Sequence, residues 1–197
     1  FTRPGQAALD YIKGKRVKYY NVFYLILMLI GLNILTVHYH HEINPSSVPK
    51  NVDSGLKLIT FLSNNLKSLL FGFVPLIALN SFIFFRRLKL NLAEHFIIGG
   101  FNLLGILVLC LCVNLLTLLD KFKKIEAVIS VLETFFHLLI VLFPLWTYSN
   151  ATYKTYSILG FTWRILAFYI ILLVEFIFIL FTITYIVTNQ SSININF

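Results

Sequence analysis

The sequence predicts an all-α membrane protein of five transmembrane helices preceded by a basic amphipathic interfacial helix. Three observations carry that prediction. Hydrophobic residues make up 58% of the 197, with 20 Phe, and only 12% are charged, about half the proportion usual in a soluble domain. The apolar residues fall in continuous runs, near the roughly 20 that cross a bilayer as helix, and do not alternate as barrel strands do. Lys and Arg collect at the ends of these runs, where they govern topology.

Residues 1–21 form the first element. Thr2 and Pro4 are helix-start signals, and Ala8, Tyr11, Ile12 and Lys15 share one helical face. The expectation is a helix along the cytoplasmic leaflet, with Lys13, Lys15, Arg16 and Lys18 among lipid headgroups. Gly14 weakens that helix. Phe1 stands where an initiator Met is usual, and no small-residue cleavage site follows the first span, which reads as a retained anchor.

The transmembrane domain covers 22–187, with spans at 22–39, 69–85, 96–119, 127–147 and 165–187. Pro45 and Pro49 mark an outside loop after the first span, and Leu58, Leu62, Leu66 and Leu69 then give an interfacial helix feeding the second. Pro75 should kink the second span. Arg86, Arg87 and Lys89 form an inner basic turn, and Asn91 with Glu94 resembles a capping box opening the third span. A charged turn at 120–126 leads outside to the fourth span, which holds Pro144 near its inner end, and a polar linker at 149–155 leads to the fifth. Residues 188–197 are a polar outside tail. On this threading ten Lys and Arg lie inside and six outside, which puts the N terminus in the cytoplasm and the C terminus in the periplasm.

The net charge of +8 does not indicate nucleic acid, because the cations sit at span ends and not on one soluble patch. The lipid bilayer is the partner they fit. Cys110 and Cys112 lie two apart inside one span, point to different sides and serve as small packing residues.

Four groups are candidates for chemistry. Ser130, Glu133, Thr134 and His137 line one face of the fourth span, and His137 lies at a depth similar to that of Glu175 in the fifth. A carboxylate in hydrocarbon must find a partner or a proton. The group reads either as a proton relay or ion site, or as a polar clamp between the last two helices, and the clamp is preferred. His38 with His41 or Glu42 has helical metal-ligand spacing, although interfacial side chains are the preferred account. His95, Gly99, Asn102 and Gly105 make a narrow strip suited to close helix packing. Lys13, Lys15, Arg16, Lys18, Arg86 and Arg87 are the headgroup and topology cations. There is no phosphate loop, Ser-His-Asp arrangement or zinc-protease helix, so the sequence predicts no enzyme and no cofactor.

Arg3-Pro4-Gly5, Tyr11-Ile12-x-Gly14-Lys15-Arg16 with Tyr19 to Asn21, Leu90-Asn91-Leu92-Ala93-Glu94-His95 and the aromatic linker around Tyr153 and Tyr156 together resemble a Bacteroidetes multi-pass membrane family known as a domain of unknown function. Members resembling this chain carry a cysteine-rich zinc ribbon before the Arg-Pro-Gly motif, which is absent from these 197 residues, and Val22 follows Asn21 where the family pattern implies proline. The resemblance implies a bacterial inner-membrane setting and supplies no reaction. The expected function is a non-enzymatic accessory or scaffold subunit associating with other membrane-protein subunits. The alternative is a small transporter or channel using Glu133, His137 and Glu175.

Overall fold

The structure is a computed structural model and describes residues 3–15, 21–43, 72–119 and 126–193, with backbone only at 41–43, 126 and 187–193. It is all-helical, with no strand among the described residues. The elements are α1 (Pro4–Ile12), α2 (Val22–Ile43), α3 (Gly72–Phe84), a 3-10 turn (Arg86–Leu88), α4 (Leu92–Thr117), α5 (Glu126–Thr152) and α6 (Ile158–Ile193). Among the described residues, four helices are long and apolar enough to cross a membrane, over Val22–His40, Leu92–Thr117, Ala127–Thr152 and Ile158–Ile186. The second expected span, 69–85, corresponds to α3, which as described is about 20 Å long at 1.5 Å per residue, short of a roughly 30 Å hydrocarbon core. Residues 69–71, where that span was expected to begin, lie outside the described residues.

Helix ends run past the apolar runs that announce them, because hydropathy marks contact with hydrocarbon whereas caps mark the helix. The Asn91 side chain accepts from the Glu94 N–H and the Glu94 carboxylate from the Asn91 N–H, each at 2.8 Å, so α4 begins at Leu92, at the expected capping box and ahead of the apolar span from 96. α5 continues to Thr152 and α6 starts at Ile158, which shortens the polar linker between them.

Cross-helix contacts fix the directions. Val22 and Ile26 approach Gly100, and Asn33 reaches the Leu107 carbonyl, so α2 and α4 run parallel. Val74 lies against Gly99 and Ser81 against His95, so α3 runs antiparallel to α4. Phe143 and Thr147 face Gly105 and Asn102, so α5 does too. The starts of α2, α4 and α6 and the ends of α3 and α5 therefore share one end of the bundle. Every Lys and Arg among the described residues lies at that end, hereafter the basic end.

Phe85 is the centre of packing there. It is wholly buried, stacks on Tyr148 at 5.0 Å, and meets Tyr156, Phe161 and Phe168 at 6.0–6.4 Å. One ring thus ties the end of α3 to α5, the linker and α6, each aromatic pair adding about 0.5–1.5 kcal/mol beyond its buried area.

α1 differs from the expected headgroup helix in extent and in setting. It stops at Ile12 because Gly14 takes a left-handed φ of 88°. The Gly14 N–H then returns to the Tyr11 carbonyl and the Lys15 N–H to the Asp10 carbonyl, the bond pattern of a Schellman cap. Pro4, Gly5 and Ala8 are buried against α4 and α5, Gln6 Nε2 donates to the Asn150 carbonyl at 3.0 Å, and Tyr11 meets Phe101 edge-on. Its apolar face therefore rests on protein.

α5 carries Pro144 in its interior. The broken ladder is repaired from α6: the Tyr169 hydroxyl accepts from the Leu145 N–H at 3.1 Å and donates to the Val141 carbonyl at 2.7 Å. A side chain inserted beside a proline bends a helix. α5 and α6 otherwise touch sparingly. Beyond Tyr169, Phe176, Ile177, Phe178, Phe181 and Tyr185 of α6 are exposed, as lipid-facing side chains would be.

Candidate functional site

The polar groups at membrane depth fall into an enclosed set between α3, α4, α5 and α6, a clamp between α2 and α4, and an uncovered strip on α5.

The enclosed set begins with Asn80 and Ser81, adjacent on α3 and both buried. Asn80 Nδ2 donates to Glu175 Oε2 at 2.7 Å. The partner of Glu175 is thus on α3, whereas the expected clamp joined it to His137 or Glu133 of α5; neither shares a hydrogen bond or ion pair with it. Ser81 Oγ lies 2.8 Å from His95 Nδ1 and donates to the Ala78 carbonyl at 3.0 Å. With that proton committed, His95 Nδ1 is the donor and Nε2 holds the lone pair, which meets no partner. The buried Tyr148 hydroxyl lies beside Ser81 without hydrogen-bond geometry. Asn102 is buried, and Thr147 Oγ1 lies 3.2 Å from its Oδ1 while also donating to the Phe143 carbonyl at 3.0 Å. Turning the Asn102 amide over puts the otherwise unpartnered Nδ2 on Thr147 Oγ1 and gives each bond one proton.

Gly99 faces α3 and Gly105 faces α5. A Cβ at Gly99 would sit 3.4 Å from the Val74 carbonyl, and one at Gly105 would overlap the Phe143 ring. Gly105 therefore sets the approach of α5 to α4, whereas at Gly99 a methyl would make ordinary contact with α3.

The second clamp had no place in the sequence reading. Asn33 Nδ2 is shared between the Leu29 and Leu107 carbonyls, and Asn114 Nδ2 donates to Asn33 Oδ1 at 2.9 Å. Above it a cavity of ≈ 180 Å³ is lined by Val37, His40, Asn114 and Thr117. His38 is exposed on the same helix; the side chains of His41 and Glu42, the other proposed metal ligands, lie outside the described residues.

On α5, Ser130, Thr134 and His137 are exposed and Glu133 is half-buried. Their bonds turn back on their own helix: Thr134 Oγ1 donates to the Ser130 carbonyl at 2.9 Å and His137 Nδ1 to the Glu133 carbonyl at 2.7 Å. Glu133 Oε1 has no partner. The strip is therefore assembled as the helical spacing requires, and among the described residues no second helix bonds to it.

Of the headgroup cations, Lys13, Arg86 and Arg87 are exposed, and Lys15 pairs with Asp10 at 3.1 Å. Arg16 and Lys18 lie outside the described residues. Asn33, Asn80, Ser81, Asn114 and Tyr169 were missed. For the three asparagines and Ser81, an uncharged polar residue inside an apolar run is the signal that could have found them, since each must pair within the bundle.

Comparison with protein-family models, with curated proteins and with solved structures finds no match for this chain.

Proposed function

We propose that this chain is a non-enzymatic accessory or scaffold subunit of a bacterial inner-membrane assembly, and that the strip Ser130, Glu133, Thr134 and His137 receives a helix of another membrane protein. The observation that carries this is Glu133 Oε1, which has no partner among the described residues, in a strip otherwise bonded only to its own backbone there. A polar strip turned toward lipid is costly, and polar side chains within spans ordinarily face protein. The occupant this chemistry fits is a transmembrane helix presenting a hydrogen-bond donor or a cation to Glu133. The transporter reading lacks comparable support, because Glu175 is bonded to Asn80 and His137 to its own helix.

Five crossings follow if α3 belongs to a span that reaches the opposite face. The cations at the basic end then favour a cytoplasmic N terminus and a periplasmic C terminus. The likeness to the Bacteroidetes family belongs to the same proposal. Its motif residues act within the fold: Gly5 seats α1, Gly14 ends it, Asn91 and Glu94 cap α4, His95 holds Ser81 and Tyr156 packs on Phe85. That distribution suits a scaffold.

The test is native-gel mass and cross-linking of the full chain extracted from its own membranes in mild detergent. The chain should migrate in a larger assembly with cross-links from α5 to a second protein. Glu133→Leu with His137→Leu should release it as a folded monomer. A wild-type chain that migrates alone, with no protein cross-link from α5, would refute the proposal.

A further inference from the structure

At the basic end, two arginines converge on one aromatic ring. The Arg87 and Arg164 guanidinium carbons lie 5.7 and 4.8 Å from the Tyr156 ring centre, and Arg164 is also 5.0 Å from that of Trp163. The backbone N–H of Arg87 donates to the Tyr156 hydroxyl at 3.0 Å, which anchors the ring beside that residue, and the Arg164 guanidinium is held by Nη1 donating to the Gly160 carbonyl at 2.6 Å. Neither has an acidic partner among the described residues. The acids at this end are committed elsewhere, Asp10 to Lys15 and Glu94 to the cap of α4. Two like charges fixed around one ring repel each other unless an anion lies between or beside them. The N-terminus of α6, the positive end of a 36-residue helix, opens at the same corner.

The surroundings say where that anion comes from. Ile158 and Leu159 are 85% and 84% exposed and Trp163 is 55% exposed, with Leu166 and Ile170 continuing the apolar surface along α6. An exposed Trp beside arginines at the end of an apolar helix has the chemistry of a membrane interface. We propose that Arg87 and Arg164, flanking Tyr156, bind the phosphate of an anionic phospholipid headgroup whose acyl chains lie along Trp163, Leu166 and Ile170. Guanidinium pairs with phosphate through two parallel hydrogen bonds, and basic pockets between transmembrane helices hold anionic headgroups by this means. The site rests on the chain spanning a membrane, and it is independent of the assembly role of α5.

The experiment uses the full chain carrying Trp146→Phe, so that Trp163 is its one tryptophan, in phosphatidylcholine nanodiscs. Fluorescence is quenched with phosphatidylglycerol or phosphatidylcholine brominated on the acyl chains. Brominated phosphatidylglycerol should quench at a much lower mole fraction, each arginine contributing about a fivefold preference. Arg87→Gln and Arg164→Gln should each remove their share, and excess inorganic phosphate should leave the preference intact. Equal quenching by the two lipids, or a preference that survives both substitutions, would overturn the site. Displacement by inorganic phosphate would reassign it to a free anion. Quenching by neither lipid would overturn the membrane placement of this corner, and the site with it. Native mass spectrometry of the wild-type chain, exchanged against both lipids, gives the same answer without a variant: retained phosphatidylglycerol supports the site, and none retained refutes it.

Discussion

Replacing Gly5 with Ala separates a docked α1 from one that merely lies on lipid, because the two give opposite signs. On a free or lipid-bound helix the change is favourable by up to about 1 kcal/mol, since Ala restricts the unfolded chain and Gly does not. In the docked helix the added methyl would overlap the Thr147 carbonyl oxygen and come within 2.6 Å of the Ala151 nitrogen. Both are backbone atoms of α5 and cannot rotate aside, so α1 must shift or detach. Overpacking of that kind costs about 1–3 kcal/mol. At about 2–4 °C per kcal/mol for a chain of this size, the melting temperature should fall by about 2–12 °C. Cys110 and Cys112 are free and half-buried in α4, so a thiol-reactive maleimide dye reads the transition in detergent. Gln6→Ala, which deletes the bond to the Asn150 carbonyl, should lower it less, by about 0.5–1.5 kcal/mol. An unchanged or raised melting temperature in Gly5→Ala would refute the docking.

Two further substitutions probe the interior. Glu175→Gln should be tolerated because the amide still accepts from Asn80 Nδ2, whereas Glu175→Leu should destabilise; a double-mutant cycle with Asn80→Ala should give a coupling of about 0.6–2 kcal/mol, and zero coupling would dissolve the pair. Tyr169→Phe strands the Val141 carbonyl and the Leu145 N–H beside Pro144, costing about 1–3 kcal/mol; faster amide exchange at Leu145 is the readout, and an unchanged rate would show that α5 closes the gap itself.

What the sequence disclosed and what it withheld divide along a physical line. Features local to one helix were legible: the apolar runs, the Asn91 and Glu94 cap, the proline in α5, the shared face of Ser130, Glu133, Thr134 and His137. Each depends on spacing within a single segment. Features that need two helices at a particular rotation were not. That Glu175 needs a partner followed from its depth, but the choice of Asn80 over His137 depends on α3 lying against α6. The same holds for Tyr169, whose ring gives no hint in sequence that its hydroxyl completes the ladder of another helix. The basic lead was misjudged in extent because the turn at Gly14 ends the helix at Ile12, ahead of Lys13 and Lys15.

The seat of α1 also has a consequence in time. Gln6 and its acceptor on Asn150 are 144 residues apart. At synthesis rates of about 5–20 residues per second, the surface that receives the first helix is made about 7–30 s after the helix itself. For that interval the Gly5 face has no protein to meet, and every hairpin up to α5 must be threaded before the N terminus can close on the bundle. α1 therefore cannot reach its final place until α5 has been made, and a ribosome stalled before α5 would leave α1 unseated however well the earlier helices had packed.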